Sequence, residues 1–144
     1  MPHPQNEQKI TSHRPALQQI LLGEDDADDE ELLKELFVSV DHAFSLVFMN
    51  NGRRLLDYLH RALDNSLPCL IVLDYNMPEL NGEEILKELQ KNPRFAKIPK
   101  IIWSTSQSES YKRRCLDAGA DDYIIKPASV NELVETIRYM ISFC

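Results

Sequence analysis

The feature that most constrains this chain is an alternation repeated five times. Each time a short apolar run is followed by a segment whose apolar residues recur at helical spacing. The runs are Ile20-Leu21-Leu22, Phe44 to Met49, Leu70-Ile71-Val72-Leu73, Ile101-Ile102-Trp103 and Tyr123-Ile124-Ile125. The helical segments carry Leu32, Leu33, Leu36, Phe37 and Val40; then Leu55, Leu56, Leu59 and Leu63; then Ile85, Leu86 and Leu89; then Tyr111, Cys115 and Ala118; then Leu133, Val134, Ile137, Met140 and Ile141. Runs of three to six apolar residues are too short for buried helices and read as strands. Strands alternating with helices imply βαβ units, and so a parallel sheet covered on both faces. Leu70 to Leu73 has no polar residue, as a strand buried on both faces requires.

The punctuation agrees. Asn50-Asn51-Gly52 and Asn81-Gly82 read as turns, Gly119 as a left-handed helix stop, and Ser129 or Asn131 as the start of the last helix. Residues 1–16 show no period and read as a flexible polar tail; residues 17–144 read as one domain. His3 and His13 in the tail form a weak metal pair.

In a sheet of this type, ligands bind beyond the carboxyl ends of the strands. The residues just past the apolar runs are Glu24 and Asp25, Asp74, Ser104 with Thr105, and Lys126 with Pro127. Three carboxylates, a hydroxyl and an ammonium therefore converge on one edge. Clustered carboxylates repel one another unless a cation joins them. All-oxygen ligands at an accessible loop suit Mg²⁺. A lysine beside such an ion handles phosphoryl oxygens, and an aspartate is a competent phosphoryl acceptor.

Four blocks now resemble the signature blocks of bacterial response-regulator receiver domains: Ile20 to Asp26, Leu73 to Gly82, Ile101 to Ser104 and Gly119 to Pro127. The match spans about Gln19 to Cys144. The turn at Asn50-Asn51-Gly52, the Leu55 to Leu59 segment and the connection from Lys91 to Pro99 look most like small stand-alone receivers, including those that work beside phytochrome-type kinases. The resemblance implies a doubly wound (βα)5 fold with flavodoxin-like strand order 2-1-3-4-5. It makes Asp74 the phosphoacceptor, Asp25 the main acidic Mg²⁺ ligand with Glu24 alongside, and Asn76 a donor of its backbone carbonyl. It makes Lys126 the phosphate-facing lysine, Ser104 the hydroxyl switch and Tyr123 the aromatic switch, and it implies a cis bond between Lys126 and Pro127. The implied partner is a histidine kinase or a histidine phosphotransfer protein. The signal would leave through a homodimer or a downstream protein at the face of helix four, strand five and helix five, with no output domain. The chain would act as a signalling domain that catalyses only its own phosphorylation and dephosphorylation.

Three positions depart from that pattern. Gly23 stands where an aliphatic residue often ends strand one, Trp103 where an aliphatic residue precedes the switch hydroxyl, and Ala128 where an aromatic residue is common. Trp103 is expected to fill space beside helix four or to alter access to the switch. Asp26 is expected to face outward, and Asp28 to Glu31 to form an acidic first helical turn. Thr105 adjoins Ser104 and is the alternative switch residue, and Tyr123 equally fits simple edge packing.

Charge excludes one class. The 144-residue chain has 16 Lys and Arg against 23 Asp and Glu, a net charge of −7, which opposes direct nucleic-acid binding. No apolar run has the length of a membrane helix, so a cytoplasmic protein is expected. The three cysteines, Cys69, Cys115 and Cys144, suggest neither a disulfide framework nor a zinc site, and read as reduced thiols with Cys144 exposed. Two other readings compete with the phosphorylation switch: a receiver-like binding module that is never phosphorylated, and a Mg²⁺-dependent hydrolase with a transient aspartyl phosphate. The complete set of acids, hydroxyl and lysine opposes the first. Asn76, where such hydrolases carry a second Asp, opposes the second.

Overall fold

The computed structural model describes residues 17–144, so the tail and its two histidines lie outside the described residues. Five strands and five α-helices alternate: β1 (Gln18–Gly23), α1 (Ala27–Val40), β2 (Phe44–Met49), α2 (Gly52–Arg61), β3 (Leu70–Asp74), α3 (Gly82–Gln90), β4 (Lys100–Ser104), α4 (Glu109–Asp117), β5 (Asp122–Ile125) and α5 (Val130–Ile141). The strands form one parallel sheet in the order β2-β1-β3-β4-β5. The innermost strand, β3, is buried along its whole length, matching its unbroken apolar sequence.

Because side chains alternate across a strand, each strand feeds two cores. Leu21, Ile71, Leu73, Ile102 and Tyr123 face α2, α3 and α4, where they meet Leu55, Leu59, Ile85, Leu86 and Cys115. Ile20, Leu22, Val72, Ile101 and Trp103 face α1 and α5, where they meet Leu33, Phe37, Leu133, Ile137 and Met140. Trp103 therefore does not pack beside α4, as its place next to Ser104 suggested. One step along the strand puts it on the opposite face.

The helix starts are capped by side chains. Asp26 accepts from the backbone N–H groups of Asp28 and Asp29, Asn51 from Arg54, Ser108 from Tyr111, and Ser129 from Glu132. Asn81 and Glu84 form a reciprocal capping box at α3. Ser129, not Asn131, starts α5. Gly119 has φ +112°, the conformation expected of a helix stop. Gly23 has a packing reason: a Cβ there would lie 2.9 Å from Met77 Cε and 3.0 Å from Leu55 Cδ1. The Met77 side chain fills the space that an aliphatic residue would take.

Two expectations are corrected. Cys69, just before β3, and Cys144, at the end of the turn after α5, form a disulfide, with their Cα atoms 5.2 Å apart. Only Cys115 is a free, buried thiol, and its burial raises its pKa to about 11. Spacing along the chain could not reveal the bridge, because the two cysteines are 75 residues apart and meet only when α5 packs across the sheet. No cis peptide bond occurs among the described residues, so the bond between Lys126 and Pro127 is trans. The trans form is the lower-energy state of an X–Pro bond, and here the Lys126 N–H still closes onto the Ser104 carbonyl at 2.8 Å.

Candidate functional site

The site lies where β1, β3, β4 and β5 end. Glu24 directly follows β1 and is 1% exposed. Its N–H donates to the Met49 carbonyl at 3.0 Å, tying the β1 exit to the end of β2. Asp74 closes β3 and is 6% exposed. Its Oδ1 accepts from the Asn76 N–H at 3.0 Å. Lys126 follows β5, and its Nζ reaches back across the sheet. It lies 2.8 Å from Asp74 Oδ2, 3.0 Å from Asp29 Oδ2 and 3.2 Å from Glu24 Oε1. The same ammonium sits 4.8 Å from the centroid of the Trp103 ring.

One ammonium thus stands among three carboxylates. Burial, then the hydrogen bond and charge of Asp74, push the Glu24 carboxyl up to about 7, although Lys126 pulls the other way. Burial opposes the charge on Lys126, but Asp74 first, then Glu24 and Asp29, outweigh it and raise its pKa. The cluster carries an excess of negative charge in a sheltered place, and further positive charge would relieve it.

The donor set suits Mg²⁺. Two buried carboxylates, Glu24 and Asp74, lie at the strand ends, and Mg²⁺ needs only one or two carboxylates and keeps several waters. Among the described residues, no three His, Cys, Asp or Glu side chains form a metal-holding group of their own. Asp25, the expected main ligand, is exposed and makes no hydrogen bond or ion pair within the described residues. Asn76 is exposed, and its backbone N–H is already directed at Asp74.

Ser104 and Tyr123, the residues expected to act as switches, lie beyond Asp74 on β4 and β5. Ser104 is buried, and its Oγ accepts from the Ser106 N–H at 3.1 Å. Tyr123 is 7% exposed, and its hydroxyl donates to the Ser106 carbonyl at 2.8 Å. The two residues expected to move together therefore share one loop residue. The loop after β3 is fixed from outside: the Pro78 carbonyl accepts from Gly52 at 3.1 Å and from Leu80 at 2.8 Å. Glu79 between them has φ +68°, a strained value for a residue with a side chain.

Asp29 was missed as a site residue. It belongs to the acidic first turn of α1, as its sequence position implies, but its carboxylate also turns inward to Lys126. It lies five residues after Glu24, in the first turn of the helix that Asp26 caps.

Residues 20–138 match the response regulator receiver domain family. The chain belongs to that family. A probable methanogenesis regulatory protein, FilR2, from Methanothrix harundinacea is 31% identical over 121 residues, covering 83% of this chain and 78% of that protein. The phosphorylated cyanobacterial phytochrome response regulator RcpA superposes with a TM-score of 0.80 at 29% identity, covering 89% of this chain and 94% of RcpA. The Mn²⁺-bound response regulator Rcp1 superposes with a TM-score of 0.74 at 28% identity, covering 88% and 93% of the two chains. The receiver has the strand order expected of it, and its structural relatives include phytochrome-associated regulators.

Proposed function

We propose that this receiver domain accepts a phosphoryl group on Asp74 in a Mg²⁺-dependent reaction and passes the signal on through a conformational switch. The observation that carries the reading is the ion pair of 2.8 Å between Lys126 Nζ and Asp74 Oδ2, inside a cluster with an excess of carboxylates. The donor would be a phosphohistidine on a histidine kinase or phosphotransfer protein. An Asp74 carboxylate oxygen attacks phosphorus in line. The new O–P bond forms as the N–P bond to the donor imidazole breaks, and the imidazole leaves with the electron pair. Lys126 moves its charge from the carboxylate to the phosphoryl oxygens. Glu24, Asp74, the Asn76 backbone carbonyl and the adjoining Asp25 are the groups that would hold Mg²⁺, which supplies further charge neutralisation there. The phosphorylated state of RcpA and the metal-bound state of Rcp1 support the same reading.

Ser104 reads the phosphoryl group. Its Oγ now accepts from Ser106, and a hydroxyl turned toward a phosphoryl oxygen would release that bond. The Ser106 carbonyl holds the Tyr123 hydroxyl, so movement of one loop residue reaches both switch positions. The surface that changes would be formed by α4, β5 and α5, where Ile125 and Val130 are exposed. A kinase, a second copy or a downstream protein would meet that surface.

Incubation with acetyl phosphate separates this reading from its rivals. A slowly decaying label that needs Mg²⁺ supports the switch. Absence of label points to a binding module, and rapid turnover of external phosphoester points to a hydrolase. Asn76 opposes the last, because an amide cannot serve as a general base two residues from the acceptor. Ser104→Ala should still be labelled but should lose much of the change in hydrogen exchange over residues 107–125 in the presence of beryllium fluoride. A full response would give the sensor role to Thr105.

A further inference from the structure

We propose that Trp103 is a positioning residue for Lys126: its indole face, together with the Asp29 carboxylate, holds the ammonium against Asp74. The kinetic part of this inference rests on the phosphoacceptor reading; the structural part does not.

The arrangement follows from register. Asp74 and Trp103 are directly paired neighbours on β3 and β4, and the Tyr75 N–H donates to the Trp103 carbonyl at 3.2 Å. Trp103 is 3% exposed and set in the core between the sheet, α1 and α5, beside Leu33, Phe37, Leu133, Ile137 and Met140. Its ring is therefore fixed by packing. Lys126 is the opposite kind of group, a charge on a flexible four-carbon stem that gains a defined position only from its surroundings. Its Nζ lies within the distance at which a ring face attracts a cation, and both groups are largely desolvated, which strengthens the attraction.

The indole does something the three carboxylates cannot. Lys126 has three N–H donors, and Glu24, Asp29 and Asp74 accept from them. When a phosphoryl group joins Asp74, at least one of these bonds must be exchanged for a bond to a phosphoryl oxygen. Carboxylates also repel the incoming phosphoryl charge. The ring is uncharged and stays in place, so it can hold the ammonium through the exchange. An aliphatic residue at this position would fill the same core but would offer the ammonium no attracting surface. Trp103 would thus shape the speed of phosphoryl transfer in this chain.

The test has two arms. In proton NMR of the metal-free protein, the Lys126 ε-methylene resonance, assigned by its disappearance in Lys126→Met, should lie upfield of ordinary lysines through the ring current of Trp103. An ordinary position in the wild type would overturn the placement without bearing on Asp74. In the second arm, labelling by acetyl phosphate with Mg²⁺ is timed in the wild type, Trp103→Phe and Trp103→Leu. Leu should slow labelling about fivefold, and Phe, which keeps a ring face, by about twofold or less. Equal rates in all three would overturn the positioning role, as would Phe and Leu slowed alike, which would leave Trp103 a packing group. If Trp103→Leu does not fold, Trp103→Met, which also lacks a ring, takes its place in the comparison with Trp103→Phe. A wild type that takes no label at Asp74 would instead sink the phosphoacceptor reading, with the first arm unaffected.

Discussion

The two ends of the sheet are built on opposite terms. At the carboxyl end, three carboxylates compete for one ammonium, and burial holds the Glu24 carboxyl at about 7. At the amino end, the buried cation is matched by hydrogen bonds rather than contested by several acids. Lys100 is buried, but its Nζ donates to the Phe95 carbonyl at 2.7 Å and its N–H to Asp121 Oδ2 at 2.8 Å. The Cys69–Cys144 disulfide there fastens the turn after α5 to the start of β3. One end keeps a charge imbalance that a cation or a changed phosphoryl state can exploit. The other end is tied together by these hydrogen bonds and by the bridge.

The largest expected effect tests the tied end. The bridge closes a loop between residues 75 apart, and the chain-entropy argument gives it about 4.5 kcal/mol. Cys144→Ser should lower stability in urea denaturation by an amount of that order, and reducing agent should lower the wild type but not the variant. Unchanged stability in both would remove the bridge from the comparison. The bridge also qualifies the expected cytoplasmic location, because disulfides persist in oxidising surroundings. In a reducing cytosol the pair would exist as thiols.

The second effect tests the imbalance. The folded pKa of Glu24 lies above its ordinary value of 4.5, so the fold favours the neutral acid. Stability is therefore greatest below the ordinary value and falls as pH rises through about 7, by up to about 3 kcal/mol. In the metal-free protein, Glu24→Gln should flatten this fall between pH 4.5 and 7 and leave the variant more stable than wild type at neutral pH. Parallel pH profiles would mean that Lys126 already satisfies Glu24.

A smaller effect separates the two acids of the α1 turn. Asp26→Ala removes the cap and should cost about 1 kcal/mol in urea denaturation. It should also slow labelling, because the cap sets the entry of α1 and so the aim of Asp29. Asp29→Asn should leave the cap and most of the stability intact. If Asp26→Ala loses the stability but labels at the wild-type rate, the aim of Asp29 does not depend on the cap.

What sequence alone made legible follows the same division. Asp74 and Lys126 could be read because each directly follows an apolar run, and a strand has only one exit. The strands and helices were equally plain, since their periods differ, and the Asn51-Gly52 and Asn81-Gly82 pairs, read as turns, mark the starts of α2 and α3. Asp29 was hidden among neighbouring acids because helical geometry, not composition, selects the one that turns inward. The partnership of Cys69 with Cys144 was hidden because it depends on how α5 crosses the sheet. A place for Trp103 beside α4 was one of two readings, and it fails because alternation along β4 puts Trp103 and Ser104 on opposite sides of the sheet.

On the proposed reading, the unbalanced end takes a phosphoryl group on Asp74. Intact-mass spectrometry after treatment with acetyl phosphate and Mg²⁺ tests it directly, comparing the wild type with Asp74→Asn, whose amide has nearly the shape of the carboxylate. The wild type should gain the mass of one phosphoryl group and lose it again on standing, while Asp74→Asn should gain nothing and stay folded. The same gain in both proteins would place the phosphoryl group elsewhere and remove Asp74 as the acceptor.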